Sequence, residues 1–111
     1  MPEINFEQVI ADCVNVAKAE LGKSWKSFKP YAEHEFRQFT ENARFLAELS
    51  VKGTIGDEEL AARLEIQRLA LKSVLQTIEG VGLITAQNTI NAVLNIVYKA
   101  VKSVVGVVLP I

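Results

Sequence analysis

The last third of the chain runs from Glu79 to Ile111 and reads EGVGLITAQNTINAVLNIVYKAVKSVVGVVLPI. After Glu79 this stretch has no acidic residue, and its only charges are Lys99 and Lys102. Its asparagine and lysine side chains follow one another at steps of three or four residues, and they are Asn88, Asn91, Asn95, Lys99 and Lys102. Such steps place all five on one narrow stripe of a helix, and most of the remaining circumference is apolar.

This apolar surface is wider than the roughly 100° stripe that a surface helix needs, so something must cover it. A central position in the bundle, a partner subunit or a membrane surface could each do so. A bilayer span is the least favoured covering, because the Asn and Lys residues interrupt every window of about 18 residues. We predict that the residues which bind a partner are Ile90, Val93, Leu94, Val97, Tyr98, Val101, Val104 and Val105.

The rest of the chain also repeats apolar residues at the period of a helix. Together with the glycine positions, this pattern predicts four helices, at about residues 4–21, 27–52, 57–79 and 83–105. A chain of 111 residues is long enough to bury one core of its own. The sequence therefore predicts an all-α fold, an up-down four-helix bundle in a single domain over residues 1–111, completed or extended by oligomerisation.

Local signals support the ends of these helices. Gly22 is expected to form a left-handed cap of the first helix, and Pro30 is expected in the first turn of the second, where its missing amide is tolerated. In TIGDEEL, at residues 54–60, three acidic side chains suit the positive end of a helix dipole. Gly80 and Gly82 favour a break between the last two helices over one continuous helix, because each costs about 1 kcal/mol relative to Ala in a helix interior.

Composition and charge narrow the classes of function. The 12 basic and 13 acidic residues leave a net charge of -1, which argues against bulk affinity for nucleic acid. The first residues, MPEINFEQVI, have no basic run before an apolar core and do not resemble a secretory signal. The single cysteine, Cys13, is interpreted as a small buried apolar side chain, and a reducing, cytoplasmic setting is expected.

The sequence carries few residues for catalysis or metal binding. His34 is the only histidine, and the chain has no Glu-x-x-His motif, whereas ferritin-like carboxylate sites need two such pairs. A single-histidine metal site made of His34, Glu41 and Glu65 is the remaining alternative, although a solvated charged face is the simpler interpretation. We therefore expect no catalytic, cofactor or metal site and no enzymatic activity.

The stretch KSWKSFKPY, at residues 23–31, repeats a Lys-x-aromatic unit three times. Interleaved basic and aromatic side chains can bind single-stranded nucleic acid by stacking. However, Trp25 and Phe28 also fall on the apolar line of the second helix, so we expect them in the core. Nucleic acid is thus an unfavoured partner.

These patterns predict a non-enzymatic helical interaction or assembly module that self-associates or binds a protein partner through its apolar C-terminal helix. The first alternative is a membrane-surface-docking or membrane-active helical protein, since a broad apolar face with basic residues at its polar edge is typical of interfacial helices. The second alternative is a carboxylate/His metal-binding bundle.

Overall fold

The structure, a computed structural model, describes residues 5–105, with the side chains of Val104 and Val105 excepted. Helices make up almost all of this part of the chain, which contains no strand. The four α-helices are α1 (Phe6–Leu21), α2 (Trp25–Val51), α3 (Asp57–Gln76) and α4 (Leu83–Val105). The predicted all-α bundle is confirmed. The predicted start of the first helix at residue 4 lies outside the described residues.

The first two helices form one bent helical segment of 46 residues. A 3₁₀ turn at Gly22–Ser24 joins them and folds α2 back along α1, so that Arg37 Nη2 lies 2.8 Å from Glu7 Oε1. Gly22 ends α1 as predicted, with a φ of +54° that suits glycine. Its ψ of −118° differs from that of the left-handed cap we expected, because the chain turns directly into the 3₁₀ segment.

The predicted position of Pro30 in the first turn of α2 is wrong. The helix begins at Trp25, before the predicted start, so Pro30 lies in its second turn. Proline has no amide hydrogen to donate to the carbonyl of Lys26, four residues earlier. Both Lys26 and Pro30 are exposed, and water can donate to this carbonyl instead.

The link between α2 and α3 is closed by a glycine. The Thr54 amide donates to the Leu49 carbonyl (2.9 Å) and the Gly53 amide to the Ser50 carbonyl (3.0 Å). With a φ of +75° at Gly53, these two bonds form a Schellman motif, which satisfies the last carbonyls of a helix. Ile55 is buried directly afterwards. The chain is then placed to begin α3 at residue 57, as predicted.

The link between α3 and α4 confirms the predicted break at Gly80 and Gly82, although α3 ends at Gln76 and not at the predicted residue 79. Gly80 has a φ of +86°. A Cβ atom added there would lie 2.8 Å from Ser24 Oγ, which itself donates to the Glu79 carbonyl at 3.2 Å. This link therefore packs closely against the turn between α1 and α2.

Helix α4 packs against all three other helices of the bundle, as α2 also does. In the part of the chain that the structure describes, no Cα atom of α1 lies within 8 Å of a Cα atom of α3. Its buried apolar residues are Ala86, Ile90, Val93, Leu94, Val97, Tyr98 and Val101. Of the coverings that the sequence left open, a central position in the bundle accounts for this face of α4.

Candidate interaction surface

The structure places most of the predicted partner-binding residues in the core of the chain itself. Six of the eight are buried against the other helices, namely Ile90, Val93, Leu94, Val97, Tyr98 and Val101. The side chains of the other two, Val104 and Val105, lie outside the described residues. Four of the six, Ile90, Val93, Val97 and Val101, have no exposed surface. A partner could reach these four only if α4 left the bundle, so docking through the predicted residues stays a prediction that requires opening.

The exposed edge of α4 is the polar stripe read from the sequence. Its exposed members are Asn88, Asn91, Asn95, Lys99 and Lys102. The Gln87 amide donates to Asn91 Oδ1 at 3.1 Å and extends this polar edge. Within residues 85–103, α4 thus presents amide and ammonium groups to water.

Three large exposed apolar side chains lie on α2 and α3. Phe45 is 58% exposed, Ile66 63% and Leu69 46%. Phe45 and Ile66 line a groove of about 300 Å³ between the two helices, together with Asn42, Leu46, Arg63 and Gln67. We call Phe45, Ile66 and Leu69 the α2–α3 apolar patch.

The patch arises because α3 carries apolar residues on two faces. One face holds the core leucines, which are Leu60, Leu64, Leu71 and Leu75. At about 100° per residue, Ile66 and Leu69 fall on the far side of the helix from this stripe. Sequence reasoning followed only the first stripe and missed the patch. The available signal was the pair of large apolar residues out of phase with the leucines.

Ion pairs flank the patch along α3. Arg63 Nη2 lies 3.0 Å from Glu59 Oε1, and Arg68 Nε donates to Glu65 Oε2 at 2.9 Å. The bond from Arg68 lowers the pKa of Glu65, so this carboxylate is charged at neutral pH. Exposed ion pairs of this kind contribute little to the stability of the fold, but they place charged side chains beside the patch.

A second groove, of about 420 Å³, lies between α3 and α4. Its lining residues are Ala61, Leu64, Glu65, Arg68, Gln87, Asn91, Leu94 and Tyr98. The Tyr98 ring stacks on Phe39 with centroids 6.3 Å apart, and burial, followed by the charge of Glu65, raises the pKa of Tyr98 to about 12. The ionic and amide groups of this groove pair with each other, Glu65 with Arg68 and Gln87 with Asn91.

The structure does not assemble the alternative metal site. Within residues 5–103, no three side chains of the His, Cys, Asp and Glu types lie close enough to hold a metal ion. His34 and Glu41 are exposed on α2, and Glu65 is paired with Arg68. His34, Glu41 and Glu65 are therefore not brought together.

The aromatic residues of KSWKSFKPY mainly serve the core. Phe28 is fully buried, with its ring centroid 5.7 Å from that of Phe36 and 6.2 Å from that of Trp25, in edge-to-face geometry. Trp25 is half-buried and packs against the core. Of the three aromatic residues in the stretch, Tyr31 alone is exposed. The expected core role of Trp25 and Phe28 is confirmed.

The single thiol is also a core group. Cys13 is completely buried in α1. Burial, and then the neighbouring Asp12 carboxylate, raise the pKa of this thiol to about 12. Since the thiolate is the reactive form, Cys13 acts as a small apolar side chain, as predicted.

The remaining exposed apolar residues include Leu83 (61%) and Ile84 (77%) at the start of α4. None of the helices, over the described residues, is long and apolar enough for a membrane crossing. No protein-family model, curated protein or solved structure matches this chain.

Proposed function

We propose that this chain is a non-enzymatic helical module that self-associates through an exposed apolar surface. The observation that carries the proposal is the α2–α3 apolar patch, formed by Phe45, Ile66 and Leu69, each close to half exposed or more. Single exposed apolar residues are common on proteins. Large apolar side chains grouped on adjacent helices and rimmed by charged groups are typical of protein-binding surfaces.

The patch is a better docking surface than the apolar face of α4. Ile90, Val93 and Val97 are completely buried, and exposing each would forfeit about 1.5 to 3 kcal/mol of apolar burial. Opening all three would use most of the ~5 to 15 kcal/mol that stabilises a whole domain. The patch on α2 and α3 needs no opening, so we assign self-association to it.

A catalytic role has less support from the described residues. Nucleophilic catalysis needs a group that is activated by a base or by a lowered pKa. Cys13 has a raised pKa and is buried, and His34 is exposed on α2. These features favour an interaction role over an enzymatic one.

Light scattering after size-exclusion chromatography tests self-association. The chain has a mass of 12.2 kDa, and we expect the measured mass to rise to twice this value or more as the concentration increases. Loading should run from about 1 μM to about 1 mM, which brackets moderate and weak dissociation constants. A mass that stays at the monomer value over this range would contradict the proposal.

A second candidate function is docking on an anionic membrane surface. It is favoured by the exposure of Leu83 and Ile84 at the start of α4. Lys23 lies in the 3₁₀ turn, which contacts the α3–α4 link because Ser24 Oγ donates to the Glu79 carbonyl. Each basic residue near an anionic bilayer contributes about 1 kcal/mol to the binding free energy. Co-sedimentation with vesicles, with and without anionic lipid, tests this candidate. Protein that stays in the supernatant with both vesicle types would exclude it.

A further inference from the structure

We infer that the α2–α3 apolar patch is covered by a second copy of this chain, with the α3 helices of the two copies packed antiparallel about a two-fold axis. This inference deepens the proposed self-association and rests on it. The spacing of the exposed residues on α3 and the distribution of charge along this helix carry it.

The exposed side of α3 has the spacing of a two-helix seam. Ala62, Ile66, Leu69 and Ser73 follow one another at steps of four, three and four residues, and all four are exposed. Steps of this kind define the a and d positions of a coiled-coil interface. A two-fold axis midway between Ile66 and Leu69 sets Ile66 against Leu69 of the second copy. It also sets Ala62 against Ser73 of that copy, and these small side chains permit close approach at both ends.

The charge along α3 favours the antiparallel orientation. Residues 57–65 contain four acidic side chains and one basic side chain, Arg63. Residues 66–76 contain Arg68 and Lys72 and no acidic side chain. Antiparallel packing places the acidic half of each helix beside the basic half of the other, and it also opposes the two helix dipoles favourably. Parallel packing would place like charges together.

One pair of residues connects this charge pattern to the seam. Glu65 and Lys72 are seven residues apart and so lie on the same flank of α3. A two-fold axis between antiparallel helices brings the same flank of the two copies together. Glu65 of each copy therefore faces Lys72 of the other. Glu65 is exposed and held in place by Arg68, and the contact forms twice by symmetry.

The other flank of the seam accommodates Phe45. This side chain projects beside Arg63 and Ile66 in the groove between α2 and α3. In the same register, the stretch of the second copy that lies opposite contains Ala70, which is exposed and small. Phe45 of each copy therefore covers Ala70 of the other. The inferred contact thus uses all three residues of the patch.

Sedimentation velocity with a matched pair of variants tests the surface. Ile66→Asp places a carboxylate in the seam and should raise the dimer dissociation constant more than about tenfold, as for a central interface residue. Ile84→Asp makes the same change at an even more exposed isoleucine and should leave the dissociation constant within about twofold of wild type. Circular dichroism spectra should show both variants folded, because both positions are exposed in the single chain.

Charge reversal tests the orientation. Glu65→Lys and Lys72→Glu should each weaken the dimer several-fold, because each faces like charges in its own homodimer. An equimolar mixture of the two variants should recover the affinity of wild type, because both intermolecular pairs are then restored. Failure of this recovery would overturn the antiparallel arrangement.

The outcomes separate this inference from the proposed function. A wild-type dimer that Ile66→Asp leaves intact, or that Ile84→Asp disrupts, would overturn the α3 interface while self-association remained. A wild-type chain that is monomeric up to about 1 mM would remove the proposed self-association itself. Binding of the monomer to anionic vesicles that Ile66→Asp abolishes would overturn the second copy as the occupant and assign the patch to lipid.

Discussion

Replacing Val97 by aspartate places a carboxyl group at the centre of the bundle. Val97 is fully buried on α4, so the substitution loses about 1.5 to 3 kcal/mol of apolar burial. The new carboxyl has an ordinary pKa of about 3.9, and holding it neutral at pH 7 costs about 1.4 kcal/mol for each of roughly three pH units. The two contributions together amount to ~6 kcal/mol, which is comparable with the total stability of a typical small domain.

Urea unfolding followed by circular dichroism at neutral pH measures this loss. The matched control is Asn95→Asp, two residues away on the exposed stripe, which should change the unfolding free energy by less than about 0.5 kcal/mol. The pKa of the buried carboxyl would be raised, so the neutral form favours the folded state and Val97→Asp should regain stability as the pH falls towards about 4. A Val97→Asp variant within about 1 kcal/mol of wild type would refute the central position of α4.

Three further predictions concern other parts of the bundle. Gly80→Ala should destabilise the chain by about 1 to 3 kcal/mol in urea unfolding, because Gly80 has a positive φ and its added Cβ would lie 2.8 Å from Ser24 Oγ. The control is Gly82→Ala, which places no atom within 4 Å of the added Cβ. Equal losses of stability in the two variants would contradict this reason. The thiol of Cys13, with its pKa raised to about 12, should resist Ellman's reagent at about pH 8 until the chain is unfolded; rapid reaction of the folded chain would show that it is accessible. The pKa of Tyr98 rises from 10.0 to about 12 on folding, so between these values the folded state keeps a proton that the unfolded state loses. The unfolding free energy should therefore fall between about pH 10 and pH 12, by up to ~1.4 kcal/mol per pH unit. If Tyr98→Phe showed the same dependence of the unfolding free energy on pH, this assignment would be contradicted.

The number and order of the helices could be predicted because their ends carry local signals. Gly53 and Gly80 both adopt a positive φ, a conformation that glycine adopts at little cost. The acidic first turn of α3 coincides with its start at Asp57. The start of α2 was harder to predict, because Pro30 costs little in an exposed second turn where water can reach the freed carbonyl of Lys26.

The amphipathic pattern of α4 predicted which side chains are exposed to solvent, but it could not predict what covers the buried ones. Asn95 and Lys99 are exposed and Val93 and Val97 are buried, as the spacing indicated. A central helix and a helix at a subunit interface both need a wide apolar face, so the periodicity of one helix does not distinguish them. The distinction depends on how α1, α2 and α3 pack around α4, which is a property of the whole chain.

Sequence reasoning missed the α2–α3 apolar patch because the buried leucines of α3 were enough to explain the apolar period of this helix. Leu64 and Leu71 satisfy that period and are buried. Ile66 and Leu69 do not share the stripe, and isolated apolar residues off a stripe are frequent on protein surfaces. Their significance depends on Phe45, which α2 brings beside Ile66 from a distant part of the sequence.

Hydrogen exchange of the backbone amides, followed by mass spectrometry at dilute and at high protein concentration, reports separately on α4 and α3. It tests whether α4 is covered by its own chain and whether α3 provides the surface for self-association. We expect peptides spanning residues 90–101 to exchange slowly at both concentrations, and peptides from α3 to gain protection only at high concentration. Rapid exchange of residues 90–101 in dilute protein, with protection appearing there on concentration, would contradict the claim and show that a partner covers α4.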